Sequence, residues 1–183
     1  MIKKLLLTAV TITMMAHYAS AQSYGTFEWD IIGVGVAFPS SESLSGGITF
    51  YSEPRYNIND NFSVGLRWEG AILAGVEDDD NIDIGLSSAW SLTPDYYFYN
   101  NKNQRAFAGL GIGLSTGGAT TLTQDDGTVV EVDAARTFGL TPRVGYELGL
   151  LRFQVYYSIA TDEAVTNYLG VGLAFNAGGR YRK

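Results

Sequence analysis

The sequence contains no cysteine and only one histidine, His17, in 183 residues. The missing cysteines exclude a disulfide framework, a thiolate nucleophile and cysteine-ligated metal centres. Charge is scarce as well, at 17% of residues, and what there is leans acidic, with 12 Lys and Arg against 19 Asp and Glu and a net charge of −7. So few charges among so many aromatic and apolar residues exclude disorder driven by charge repulsion. An acidic balance excludes nucleic acid as a partner, since phosphates must be neutralised by Lys or Arg. No apolar run reaches the ~20 residues that a membrane-spanning helix needs. The longest, Leu5 to Ala16, follows Lys3-Lys4 and precedes Ala19-Ser20-Ala21, which is the pattern of a secretory signal peptide over residues 1–21.

Removing those residues leaves 162, takes away both Lys3 and Lys4, and brings the net charge to −9. His17 leaves with them, so a mature chain without histidine excludes His-based triads and dyads and His-ligated metals. No catalytic residue, cofactor or metal ligand is assigned, and the chain is expected not to be an enzyme. The acidic stretches Glu77-Asp78-Asp79-Asp80, Asp125-Asp126, Glu131 to Asp133 and Asp162-Glu163 offer carboxylates for a divalent cation. From Asp79, however, the sixth position is Ile84 where a calcium loop needs glycine, and the twelfth is Trp90 where it needs glutamate. Solvated loops are the better reading of these acids.

What the chain does have is an apolar period of two. Ile82 to Phe98 sets Ile82, Ile84, Leu86, Trp90, Leu92, Tyr96 and Phe98 against Asp83, Gly85, Ser87, Ser91, Thr93 and Asp95. The same alternation runs through Ile48 to Tyr56, Phe62 to Ile72, Phe107 to Leu114, Phe138 to Leu148, Leu151 to Ile159 and Leu169 to Phe175. The apolar parity flips across Gly149-Leu150, as a two-residue hairpin requires. In Phe27 to Phe38, Glu28 and Asp30 share parity with Ile32, Val34, Val36 and Phe38, and a bulge near Ile31 would reconcile them. Eight strands result, the fold class is all-β, and the barrel is expected over residues 22–176 with a basic tail at 177–183.

Connections alternate between tight ones, Asn57 to Asn61, Asn100 to Gln104 and Gly149-Leu150, and longer ones, Ser40 to Gly47, Gly75 to Asn81, Thr116 to Arg136 and Thr161 to Thr166. From the second strand on, no charge falls on the apolar parity. Glu53, Arg55, Arg67, Glu69, Asp95, Arg143, Glu147 and Arg152 all fall on the other and are expected to form an ion-pair network filling the lumen. Turned with its apolar face inward, the same pattern would give a soluble lipocalin-like binder. The aromatic placement argues for the opposite. Tyr56, Phe62, Tyr96, Phe98, Tyr146, Phe153 and Phe175 lie near the tight turns, and Phe38, Phe50, Trp68, Trp90 and Phe138 nearer the long loops, as two girdles of an eight-stranded antiparallel up-and-down transmembrane barrel. Closing the sheet leaves no unpaired edge in lipid.

Tyr168, Gly170, Leu173 and Phe175 resemble the terminal-strand signal read by the outer-membrane insertion machinery. With the eight-strand pattern and the Gly-rich basic tail from Asn176 to Lys183, the chain resembles the bacterial outer-membrane β-barrel domain family, related to small OmpA/OmpX-type barrels and often labelled porin-like. The resemblance implies residence in the outer membrane of a Gram-negative bacterium, termini in the periplasm, and contact with membrane lipid, the insertion machinery and periplasmic chaperones. It implies no catalytic motif. A monomer with a structural or surface-interaction role is expected, its extracellular ligand unassigned, with a narrow passive channel for small solutes as the alternative because rings of charge can select ions.

Overall fold

The structure, a computed structural model, describes residues 24–41, 43–76, 82–121, 135–162 and 165–179. Residues 1–21, most of the acidic loop positions and residues 180–183 of the tail lie outside them. Eight antiparallel strands, β1 (Phe27–Pro39), β2 (Gly46–Asn59), β3 (Phe62–Val76), β4 (Ile82–Asn101), β5 (Gln104–Thr121), β6 (Ala135–Leu148), β7 (Leu151–Ala160) and β8 (Tyr168–Gly178), pair in chain order. β1 pairs back to β8 and closes the barrel. Strands β4 and β5 reach further toward the long loops than the alternation suggests, because β5 continues past Leu114 to Thr121, where glycine and threonine replace the large apolar residues that mark a strand.

The register fixes the geometry of the closure. Partners followed around the barrel from Asn57 run through Ser63, Asp95, Gly109, Arg143, Tyr156, Gly170 and Ala37 and return to β2 at Gly47, ten residues from the start. An eight-stranded barrel of that stagger has strands tilted by roughly 40° and an interior just wide enough to be filled by side chains. Every ladder position therefore has one side chain facing in and the next facing out.

Which parity faces out is unambiguous. Thirty-two large hydrophobic residues among those described are exposed, including Phe98, Ile32 and Trp90, while Glu53, Asp95, Arg152, Glu28 and Asp30 are fully buried. The inward-facing apolar core of a lipocalin-like binder is thus not the arrangement adopted. On β3 the outward positions run from Phe62 to Ile72, and ten steps at ~3.3 Å each, tilted by roughly 40°, rise about 25 Å.

β1 carries the one irregularity that decides the interior. Its register with both neighbours shifts just after Asp30. Ile31 and Ile32 both face out, Glu28 and Asp30 face in on even numbers, and Gly33 and Ala37 face in on odd ones. The displaced Asp30 carbonyl accepts a hydrogen bond from Ser52 Oγ at 3.2 Å, and that oxygen in turn accepts from Trp29 Nε1 at 2.9 Å. Ser52 supplies a partner to a backbone group that the bulge takes out of the ladder.

Candidate functional site: the interior of the barrel

The alternation that drives apolar side chains outward delivers the charged ones to one enclosed space. Five arginines (Arg55, Arg67, Arg105, Arg143 and Arg152) and six carboxylates (Glu28, Asp30, Glu53, Glu69, Asp95 and Glu147) are buried there. The contacts are charge-assisted and mostly doubled. Arg55 grips Asp30 with both terminal nitrogens, at 2.7 and 3.0 Å, and reaches Glu28 at 3.3 Å. Arg143 donates to Glu53 at 2.7 and 2.7 Å and to Asp95 at 2.9 and 2.8 Å. Arg152 donates to Asp95 at 2.6 Å and also binds Glu147. Such bidentate pairs suit the planar guanidinium, which cannot lose its charge when buried.

The network is tiered along the barrel axis. Nearest the tight turns, Arg105 joins Glu147 at 2.7 Å to Glu28 at 2.6 Å, and Asn57 donates to Glu28 at 2.6 Å. The middle tier holds Arg55, Asp30, Asp95 and Arg152. Above it Arg143 and Arg67 share Glu53, which also accepts from Thr93 at 2.9 Å. Arg67 binds Glu69, and its guanidinium lies 3.7 Å from the Tyr51 ring and 4.8 Å from that of Tyr156. Arg152 lies 3.6 Å over Phe107. Rings that stack on guanidinium planes fill volume without leaving the charge in an apolar setting.

These rings have room because the strands beside them carry glycine. A Cβ built at Gly33 would stand 2.2 Å from the Tyr51 ring, and one at Gly170 would stand 2.2 Å from that of Tyr156. At the tight-turn end, Tyr24 packs 4.5 Å from the Arg105 guanidinium, beside a cleft of about 310 Å³ that also meets Lys102, Glu147 and Asn176.

All eight residues that the sequence pattern assigns to the lumen, Glu53, Arg55, Arg67, Glu69, Asp95, Arg143, Glu147 and Arg152, lie in this one cluster. Three members escape the pattern. Glu28 and Asp30 precede the bulge, so their parity matches that of outward residues further along β1. Arg105 directly follows the tight connection Asn100 to Gln104, yet it shares odd parity with Phe107 on the same strand, and that is the signal that includes it.

Of the outward aromatics, Tyr56, Tyr96, Phe98, Tyr146, Phe153 and Phe175 are exposed and Phe62 half-buried around the tight-turn end; Phe38, Trp90 and Phe138 are exposed nearer the other. Trp68 is half-buried and pairs directly with Trp90. Apolar residues continue beyond them to Ile72 and Leu86, so these two rings lie within the apolar band rather than at its edge. Tyr168 points into the barrel, where it donates to Glu69, and Phe175 and Leu173 point out. Among the described residues no cluster of His, Asp or Glu is free to hold a metal ion.

No family model and no curated protein matches the chain by sequence. Its fold is that of solved outer-membrane barrels. The chain is similar to Neisserial surface protein A, NspA, at 14% identity and a TM-score of 0.56, over 84% of this chain and 99% of that one. It is similar to the outer membrane protein OprG of Pseudomonas aeruginosa at 12% identity and a TM-score of 0.56, over 86% and 98% of the two chains. The N-terminal β-barrel domain of Pseudomonas aeruginosa OprF gives 12% identity and a TM-score of 0.50, over 84% and 99%. At such identities the likeness establishes the eight-stranded architecture.

Proposed function

We propose that the chain is an integral outer-membrane protein, exported by the signal peptide of residues 1–21, whose barrel is a closed scaffold that displays its long loops at the cell surface. Its role is structural or one of surface interaction, and it is not catalytic. The observation that carries this reading is the reversed polarity of the fold, with apolar side chains outside and ionised ones inside. Thirty-two exposed large hydrophobics on one outer face are more than the isolated apolar patches of a soluble monomer, whereas in hydrocarbon they are the expected surface. Turning the barrel the other way would place arginines in lipid at roughly 2 to 4 kcal/mol each near mid-bilayer.

The tight turns, the start of β1 and the end of β8 share one end of the barrel, which in bacterial barrels is the periplasmic one. Lipid is then the permanent partner of a monomeric barrel. The insertion machinery, reading Tyr168 to Phe175, and periplasmic chaperones are the transient ones. The lumen is held closed by the arginine–carboxylate network, since its guanidinium and carboxylate groups bond to one another across the axis.

Membrane fractionation followed by electrophoresis with and without boiling tests the assignment. Protein that sediments with the outer membrane and migrates differently until heated supports it. Protein that stays monodisperse in buffer without detergent and shows no heat shift overturns it.

A further inference from the structure

We propose that the cleft at the tight-turn end of the barrel binds a small carboxylate that carries its own N–H donor, the group that ends a peptide or an acylated amino acid. The proposal rests on the reading above only for the compartment from which that ligand comes, the periplasm.

The cleft lies between the β4–β5 turn, the β6–β7 turn and the end of β8, and its volume of about 310 Å³ is that of a small-molecule site. Two cations and one acid line it, Lys102, Arg105 and Glu147, a surplus of one positive charge that a monoanion neutralises. The neighbouring acids do not cancel Arg105, because each has a second arginine: Glu147 is also held by Arg152, and Glu28 is also reached by Arg55 at 3.3 Å. Arg105 binds these two acids through Nε and Nη2, and its Nη1 has no hydrogen-bond partner among the described residues. A spare guanidinium nitrogen on the wall, with the Lys102 ammonium at the mouth, offers one charged donor to each oxygen of a carboxylate.

Lys102 is held there against its own backbone preference. Among the described residues it is the one non-glycine residue at positive φ, 35°, a conformation that costs a lysine and that asparagine adopts more readily. Asn101 and Asn103 flank it, so the turn carries an ammonium at the position where the residue type on either side is the less strained choice.

Asn176 supplies the complementary demand. It is 5% exposed on the cleft wall, and its Nδ2 donates to Glu28 at 3.2 Å, while its Oδ1 accepts no hydrogen bond. A buried acceptor without a donor is costly, and a ligand N–H entering from the cleft satisfies it. Tyr24, 4.5 Å from the Arg105 guanidinium, and Leu150 complete the lining with carbon. An anion, a donor beside it and a short apolar stem together describe the carboxy-terminal unit of a peptide.

Three isosteric probes separate these demands in the purified full chain, folded in detergent micelles and followed by two-dimensional amide NMR. N-acetylglycine carries both the carboxylate and the N–H, levulinate replaces the N–H by a methylene, and N-acetylglycinamide replaces the carboxylate by a neutral amide. N-acetylglycine gives saturable shifts at Gly149 and Gly178, with a Kd in the millimolar range that about eight non-hydrogen atoms permit. Levulinate, which leaves Asn176 Oδ1 unpaired, binds about five- to a hundredfold more weakly, and N-acetylglycinamide at least about tenfold more weakly. Lys102→Asn, which suits the turn, weakens N-acetylglycine by about fivefold and leaves its advantage over levulinate unchanged. Acetyl-triglycine distinguishes the two sources of the ligand: binding at least as tight as N-acetylglycine supports a peptide end, and weaker binding supports a free acylated amino acid. Absence of saturable shifts at these amides, levulinate binding as well as N-acetylglycine, or an unchanged Kd in Lys102→Asn overturns the proposal. Heat-shifted migration shows that the variant is folded, and in micelles both ends of the barrel meet the probe. Failure of the membrane reading therefore appears in the migration, and failure of this site in the titration.

Discussion

Arg143 is the residue whose removal should unsettle the barrel most legibly. It is buried and makes four hydrogen bonds to two carboxylates, two to Glu53 and two to Asp95. In Arg143→Met both acids remain inside, and the interior falls from five arginines against six carboxylates to four against six. Breaking a buried pair by deleting one partner typically destabilises by about 3 to 5 kcal/mol. Here each acid keeps other partners, Asp95 from Arg152 at 2.6 Å and Glu53 from Thr93 at 2.9 Å, which places the expected loss near the lower end, about 3 kcal/mol. With a denaturant slope of about 2 kcal/mol per molar urea, the unfolding midpoint in liposomes moves down by about 1.5 M. Adding Glu53→Gln to Arg143→Met removes one stranded charge and should recover part of that loss, which a double-mutant cycle measures. A shift below about 0.3 M for Arg143→Met, or a double variant less stable than either single one by the full sum, would refute the view that these groups are coupled and desolvated.

Three other outcomes follow from the same geometry. Ser52→Ala strips the displaced Asp30 carbonyl and the Trp29 indole of their shared partner and should lower stability by about 1 to 2 kcal/mol, read as a lower urea midpoint, whereas Ser88→Ala on the same outer surface should change little. Gly170→Ala drives a methyl into the Tyr156 ring and should cost about 1 to 3 kcal/mol; measured in a Tyr156→Ala background, the same substitution should cost much less. Leu66→Arg places a charge on the outer face of β3 and should destabilise by roughly 2 to 4 kcal/mol, and a neutral result in liposome unfolding would deny that this face meets hydrocarbon.

The legible part of this fold was everything that repeats with period two. Alternation locates all eight strands because each turns one face to the lumen and the other to an apolar surface, and the parity flip at Gly149-Leu150 ties β6 to β7. It placed Arg55, Arg67 and Arg143 in the lumen for the same reason. It could not place Glu28 and Asp30, since a single extra residue inverts parity and the bulge leaves little mark in composition. The ends of β4 and β5 were obscured by glycine and threonine, whose strand character depends on the partner strand rather than on their own side chains. Nor did the pattern reveal that Tyr51 lies against Gly33 or Leu44 against Gly85, because such contacts join residues that only closure of the barrel brings together.

The central claim, a lumen occupied by its own side chains, is tested most directly by electrical recording from the purified protein in planar bilayers. The network predicts a silent membrane at high protein load. Reproducible discrete conductance steps from the unaltered chain, changed in size by Arg67→Ala or Arg143→Ala, would contradict it and identify the same residues as the lining of a pore.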